Sequence, residues 1–272
     1  MRRENDKKLC MLLATAKWED INAFRERVAH EISHETSLTD AAQRFTSLFV
    51  ETFPSIVLAR VFAVIPFETL PATESEFAVR LAERLGARDV LGPKTPVLSL
   101  LGSHGAELAW RARERSSGHL AIPLLSKAMV EGAPMIAQLM SALKVDLARL
   151  DDGGPIYSRP MLGSTNQRFY VPSARTARDF RGNFVIPAQD FVALHNVETV
   201  FGMAGSYVDG MLIAAILFTN ESLDSLTVDR FPSIISNFKM ATTELVLARR
   251  IYGPVVRNRQ PQGGDASGQA SR

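Results

Sequence analysis

The run Ile56–Ile65 (IVLARVFAVI) is apolar and β-branched almost without interruption, and it constrains the fold more than any other stretch of this chain. A strand with one face in water alternates apolar and polar residues, whereas a run without that alternation needs cover on both faces. It predicts a central strand in a sheet that carries other elements above and below it. Met211–Phe218, the longest unbroken apolar run, is also of strand length, far short of the ~20 residues that cross a bilayer. No membrane segment is expected.

Helical stripes supply the cover. Trp18, Ile21, Phe24, Val28 and Ile32 recur at steps of three and four, one apolar face of a helix. Ser37 or Thr39 can cap a second helix with the stripe Ala41, Phe45, Leu48, Phe49 and Thr52, ended by Pro54. Glu74–Leu85 reads as a short amphipathic helix closed by Gly86. Pro96–Leu101 and His119–Leu124 read as strands, with Gly102–Ser117 a polar, arginine-rich connection. Ser126 opens a long helix to about Leu150, with a kink or a second start at Pro134. Phe169–Val171 is a short strand, followed by an irregular loop from Pro172 to about Asp190.

Val197–Met203 and Met211–Thr219 form a hairpin whose connection ends in Asp209-Gly210, a turn signal. A last helix runs from Ser222 to Tyr252 on the near-heptad stripe Phe231, Ile235, Phe238, Thr242, Leu245 and Tyr252. Gly253-Pro254 stops it, and the tail 257–272, rich in Gln, Gly, Ser and Arg, is expected to be disordered. Helices outside an antiparallel sheet make an α+β domain. The boundaries read as an N-terminal helical extension over 1–36, a main domain over 37–252 and a tail over 253–272.

Composition narrows the function classes. Among 272 residues, 31 Lys+Arg face 29 Asp+Glu, a net charge of +2. That balance gives no reason to expect a nucleic-acid partner. The one cysteine, Cys10, excludes a disulfide framework, a CxxC redox pair and a Cys-rich zinc site, and it suits a reducing cytoplasm. Leu9–Ala14 is too short, and leads too quickly to Lys17, Glu19 and Asp20, to read as a signal peptide. No GxGxxG, Walker A or GxSxG motif is present.

Several constellations carry possible chemistry. His30-Glu31-Ile32-Ser33-His34 is a literal HExxH, which on a helix puts His30 and His34 on one face as zinc ligands with Glu31 as general base and Glu51 a nominal third ligand. It makes a zinc-dependent hydrolase the alternative reading, against an exposed polar helix face. Arg175, Arg178 and Arg181 recur in one loop, and Arg111, Arg113 and Arg115 in another. Guanidinium forks suit carboxylate or phosphate, so the loops form an anion-recognition rim if they meet, and solvated surface if they do not. Tyr170, Phe184 and Tyr207 combine ring area with loop or turn positions, as pocket residues do. His119 and His195 are open to haem or metal ligation or to a structural role. Asp151-Asp152-Gly153-Gly154 reads as a turn, and Ser103-His104 lacks an acid partner.

Four segments carry a family resemblance: Phe169-Tyr170-Val171-Pro172, Val185-Ile186-Pro187-Ala188-Gln189-Asp190-Phe191-Val192, Val197-Glu198-Thr199-Val200-Phe201-Gly202-Met203-Ala204-Gly205, and Gly210–Phe218. Thr95–Gly102 and Ser117–Leu124 fit the same pattern. Together they resemble the GAF-like sensory domains of bacterial signalling proteins. The resemblance implies a roughly six-stranded antiparallel sheet, a small-molecule pocket on one face, and terminal helices that pair between subunits. It also removes particular ligands. Cys10 lies outside the region where a bilin would attach, Asn183-Phe184 with Asp190 only partly matches the cyclic-nucleotide signature, and the cysteines of the methionine-sulfoxide-reductase branch are missing.

The resulting expectation is a cytoplasmic sensory protein, not an enzyme, that binds an unidentified small molecule and needs no other cofactor. Its output would pass to a downstream signalling protein, and a purely structural dimerisation domain with a vestigial pocket is a further alternative. The expected binding residues are Tyr170, Arg175, Arg178, Phe184, Gln189, Met203 and Tyr207, in a pocket between the Val197–Thr219 hairpin and the Pro172–Asp190 loop. Homodimer formation is expected through the stripes of the first and last helices, each of which holds more apolar surface than one sheet edge needs.

Overall fold

The strand expected at the centre is there. In the computed structural model, which describes residues 11–151 and 167–253, β1 (Ile56–Pro66) pairs antiparallel with β2 (Pro96–Gly105) on one side and β6 (Leu212–Thr219) on the other. With β3 (Ala121–Pro123), β4 (Gln167–Val171) and β5 (Thr199–Ser206) the sheet has the order β3-β2-β1-β6-β5-β4, antiparallel throughout. β2 runs on through Gly105, so part of the expected connection is strand, and β3 is shorter than expected. Cys10, residues 152–154 of the Asp-Gly turn and the tail 257–272 lie outside the described residues.

Alternation within β1 divides two cores. Ala59, Val61, Ala63 and Ile65 belong to a first core, with Phe201, Met203, Ala215 and Leu217 of the hairpin. Over it lie α1 (Trp18–Ile32), α2 (Leu38–Thr52) and, near the end of the chain, a further long helix. Leu58, Phe62 and Val64 belong to a second core with Leu98, Leu100, Phe169, Val200, Ile216 and Phe218. Both faces are covered, which is why the run reads as almost uniformly apolar.

The first layer packs closely. The Ser37 side chain caps α2 by accepting from the Asp40 N–H at 3.1 Å. At Gly102 of β2 a Cβ would lie 2.4 Å from the carbonyl carbon of Ala42 in α2, so only glycine permits this approach of helix to strand. Phe24 of α1 meets Phe49 and Phe53 edge-on at 4.8 and 5.3 Å.

Two helical expectations are corrected. α3 (Ala72–Arg84) is as read, closed by Gly86 at φ +64°, but the long helix after Ser126 is three short ones. These are α4 (Lys127–Glu131), α5 (Pro134–Ala142) and α6 (Ala148–Asp151); Pro134 starts the second, where its missing N–H costs nothing. After α7 (Gln189–Leu194), the final helix is likewise divided into α8 (Ser225–Val228) and α9 (Ser233–Leu247), with Pro232 between them. Most of the two stripes expected to pair between chains is used within this one. Phe231, Ile235, Phe238 and Leu245 are buried in the same core as Ile21, Phe24, Val28 and Ile32, and Phe238 stacks on Phe45 at 4.8 Å. Trp18 of the first stripe stays 56% exposed, as do Met240 and Leu247 of α9 at 70% and 63%, and α1 packs into the core that α2 and α9 share.

Candidate functional site

The seven expected binding residues are divided by the sheet. Met203 is buried in the first core, Tyr207 shares a hydrogen bond with Thr242 at 2.7 Å, and Tyr170 donates to the Leu223 carbonyl at 2.7 Å, all on the side of α1, α2 and α9. Burial raises the Tyr207 phenol well above its ordinary range, against the hydrogen bond with Thr242. The other four belong to the loop. Arg175 pairs with Glu198 at 3.2 Å. Arg178 lies 3.8 Å over the Phe184 ring and donates to the Gly182 carbonyl. The Gln189 amide donates to the carbonyls of Ala174 and Ile186, pinning the loop to itself. Beneath it Val171, Val185, Ile186, Val192 and Val200 fill the space to the sheet. The loop thus sends some apolar side chains inward, while Phe180 at its tip is 87% exposed.

The second arginine loop is also engaged with its own chain. Arg111 and Arg115 donate to the carbonyls of Gly105 and Leu108. Arg113 donates to the Leu100 carbonyl at 3.1 Å, pairs with Glu74 at 2.6 Å and lies 5.3 Å from the centre of the Tyr252 ring. Tyr252 in turn bonds Ser99 at 2.9 Å.

The HExxH is held in another way. Glu31 accepts from Arg27 at 2.8 Å and from Arg44, and the same two arginines engage Glu51 at 3.2 and 2.9 Å. Burial resists ionisation of Glu31, but the bonds from Arg27 and Arg44 outweigh it and hold its pKa below the ordinary value of 4.5. A carboxylate held by two guanidiniums is not available as a general base, and the His30 and His34 rings meet each other edge-on at 5.5 Å. Among the described residues no three His, Cys, Asp or Glu side chains are placed to hold a metal. Ser103 and His104 also separate: Ser103 donates to the Trp110 carbonyl, while His104 bonds Ser47 of α2. His195 lies in an aromatic cluster, 4.7 Å from Trp110 and 5.4 Å from Phe191.

The residue that stands out is Arg60, in the middle of β1. It lies across from Ser103 of β2 and Ile216 of β6, between Leu58 and Phe62, so its side chain enters the second core. Its Nε is fully buried and has no hydrogen-bond partner, and no ion pair involves Arg60 among the described residues. Burial alone brings its pKa down from 12.5 to about 10, so the guanidinium remains charged at neutral pH. Burying a charge without a partner costs several kcal/mol. Nearby, His119 has part of its surface in solvent, yet burial and then the Arg60 charge bring its pKa down to about 4. Three residues before it, the Ser116 hydroxyl is another buried group without a partner.

A separate cleft of about 400 Å³ opens at the start of β2, lined by Lys94, Thr95, Leu124 and Leu125 among others. No lining residue there is a buried polar group lacking a partner. The sequence signal for Arg60 was its presence in an apolar run. That signal was masked because one charge barely alters the apolar character of so long a strand.

Six antiparallel strands with helices on both faces make an α+β fold consistent with the GAF fold. No family model matches the chain, and no curated protein matches it. Among solved structures it is similar to the free methionine-R-sulfoxide reductase of Neisseria meningitidis in complex with its substrate. That match has 8% identity and a TM-score of 0.45, covering 89% of this chain and 99% of that one. It is also similar to a phycocyanobilin-bound GAF domain of a cyanobacterial phytochrome, at 10% identity and a TM-score of 0.45, covering 86% and 98%. The GAF domain of an Acinetobacter phosphoenolpyruvate-protein phosphotransferase has 9% identity and a TM-score of 0.43, covering 85% and 96%. Likenesses this distant add nothing to what the sheet itself establishes. No helix among the described residues is long and apolar enough to cross a membrane.

Proposed function

We propose that this chain is a small-molecule-binding sensory domain, acting in cytoplasmic signalling without catalysis of its own. Its ligand is received on the second face of the sheet, at Arg60, and not beneath the Pro172–Asp190 loop. The observation that supports this reading is Arg60 itself, a half-buried charge in the middle of the central strand whose buried Nε has no partner. A domain selected only for stability would place an apolar residue at this point of its central strand, because an apolar side chain of similar volume avoids the desolvation cost. Retention of a charge there is accounted for by a ligand that completes it.

Native mass spectrometry of the purified chain tests the reading. The expected result is a bound small molecule in the wild-type protein that is lost from Arg60→Met with the fold intact. A protein that carries no ligand, and is stabilised by none of a broad panel of metabolites, would refute it.

A further inference from the structure

We propose that the surface where the connection after β2 meets α7 is the contact face of a homodimer, with a second copy of this chain as its occupant. The contact does not depend on a ligand at Arg60.

Two segments distant in sequence build the face. Trp110 of the connection meets Phe191 of α7 at 5.4 Å and His195, just beyond that helix, at 4.7 Å. All three rings are half-buried. Leu194 follows Phe191 by three residues, so it stands on the same side of α7, and it is 76% exposed. Leu108, in the same short turn as Trp110, is 67% exposed. Exposed apolar residues scattered singly need no partner, whereas a joined group rimmed by polar residues marks a contact surface. Aromatic rings and arginines are the residues on which such surfaces most depend.

Charge selects the occupant. Glu107 adjoins Leu108, and Asp190 stands one turn before Leu194 in α7; both are exposed. Arg111 and Arg115 are exposed in the same connection as Glu107. Each has N–H groups beyond those bonded to the carbonyls of Gly105, Ala106 and Leu108. A face ringed by one sign repels its own copy. With both signs on the rim, a two-fold axis sets the acids of one chain against the arginines of the other.

The exposed residues of α1 and α9 make no such group. Arg230 donates to the Ala16 carbonyl and Arg25 to Asn237, so the two helices run parallel. Trp18 starts one and Leu247 ends the other, which puts them about 20 Å apart along the pair. Met240 lies between them, with the polar Asn237 and Glu244 on its own side of α9.

Sedimentation velocity and light scattering of the full chain test the face. The mass is expected to rise from one chain to two over about 1–100 μM, because a patch of this extent belongs to the small end of specific interfaces. Leu108→Asp and Leu194→Asp are each expected to weaken association by about tenfold or more. Both side chains are exposed, so both variants are expected to match the wild-type circular dichroism. Met240→Glu is expected to leave association within about twofold of wild type. In a Trp18→Phe background Trp110 is the remaining tryptophan, and its quenching by acrylamide is expected to fall as the dimer forms. A chain that stays a monomer throughout overturns the proposal. So does a dimer that both aspartate variants leave intact, or one that Met240→Glu dissolves, which places the contact on α1 and α9. A mass that climbs past two chains overturns the two-fold pairing.

Discussion

Replacing Arg113 with methionine tests how the connection after β2 is fastened to the rest of the fold. The side chain is 12% exposed and its partner Glu74 only 3%, with 2.6 Å between them. The substitution keeps most of the aliphatic volume but leaves the Glu74 carboxylate buried without its counter-charge, which typically costs about 3–5 kcal/mol. The Leu100 carbonyl loses a donor and the Tyr252 ring loses its cation, contributions of about 1 kcal/mol each. Glu74→Gln is milder, since Arg113 keeps Leu100, Glu114 and Tyr252 as neighbours, and about 1–3 kcal/mol is expected from the lost charge-assisted bond. The double variant removes both charges, so its cost should fall below the sum of the two by about 2 kcal/mol. Urea unfolding of the four proteins measures this cycle. Singles that add to within about 0.5 kcal/mol of the double would show that the two groups do not interact, and the argument from burial would fail.

Phe238→Glu is expected to destabilise the chain by more than about 4 kcal/mol, because it removes a core ring and buries an unpaired charge. Circular dichroism should show lost cooperativity, and a well-folded variant that merely halves in mass by light scattering would restore the dimer argument. Glu31→Gln is expected to cost about 0.5–1 kcal/mol at neutral pH, since the network is partly exposed. Because the folded-state pKa of Glu31 lies below its ordinary 4.5, its contribution is complete above 4.5 and is lost as pH falls through the folded value. Wild type and variant should therefore converge in acid-unfolding curves, and a constant gap down to low pH would contradict this. His119, held near 4 by burial and then by Arg60, is expected to titrate higher in Arg60→Met when followed by NMR. An unchanged midpoint would show that Arg60 does not act on it.

What the sequence made legible followed periodicity. The stripe Ile21, Phe24, Val28 and Ile32, the Ser37 cap and the central strand are local patterns with one physical solution, and each stands where it was expected. The second start at Pro134 was legible in the proline itself, whereas the break at Pro232 was overlooked because apolar spacing continued across it: Val228 and Ile235 share one core although they belong to two helices. The stripes of α1 and α9 were read correctly as apolar, but no pattern within a segment states what covers it. Phe238 meets Phe45, a pairing between residues distant in sequence.

Site residues were harder to read for the same reason. Alternation alone assigns Tyr170 and Met203 to one face and Phe169 and Val200 to the other, so residues adjacent in a motif are parted by the sheet. Motif proximity thus gathered residues that the strand separates. Arg60 is the opposite case. No neighbour in sequence marks it, and its chemistry arises from a position in the third dimension: an unpaired Nε enclosed in an apolar layer. Had it stood one residue earlier or later, the same side chain would face α1, α2 and α9, where Ala59 and Val61 are already fully buried. The parity of a single position in β1 therefore decides which of the two cores receives this charge.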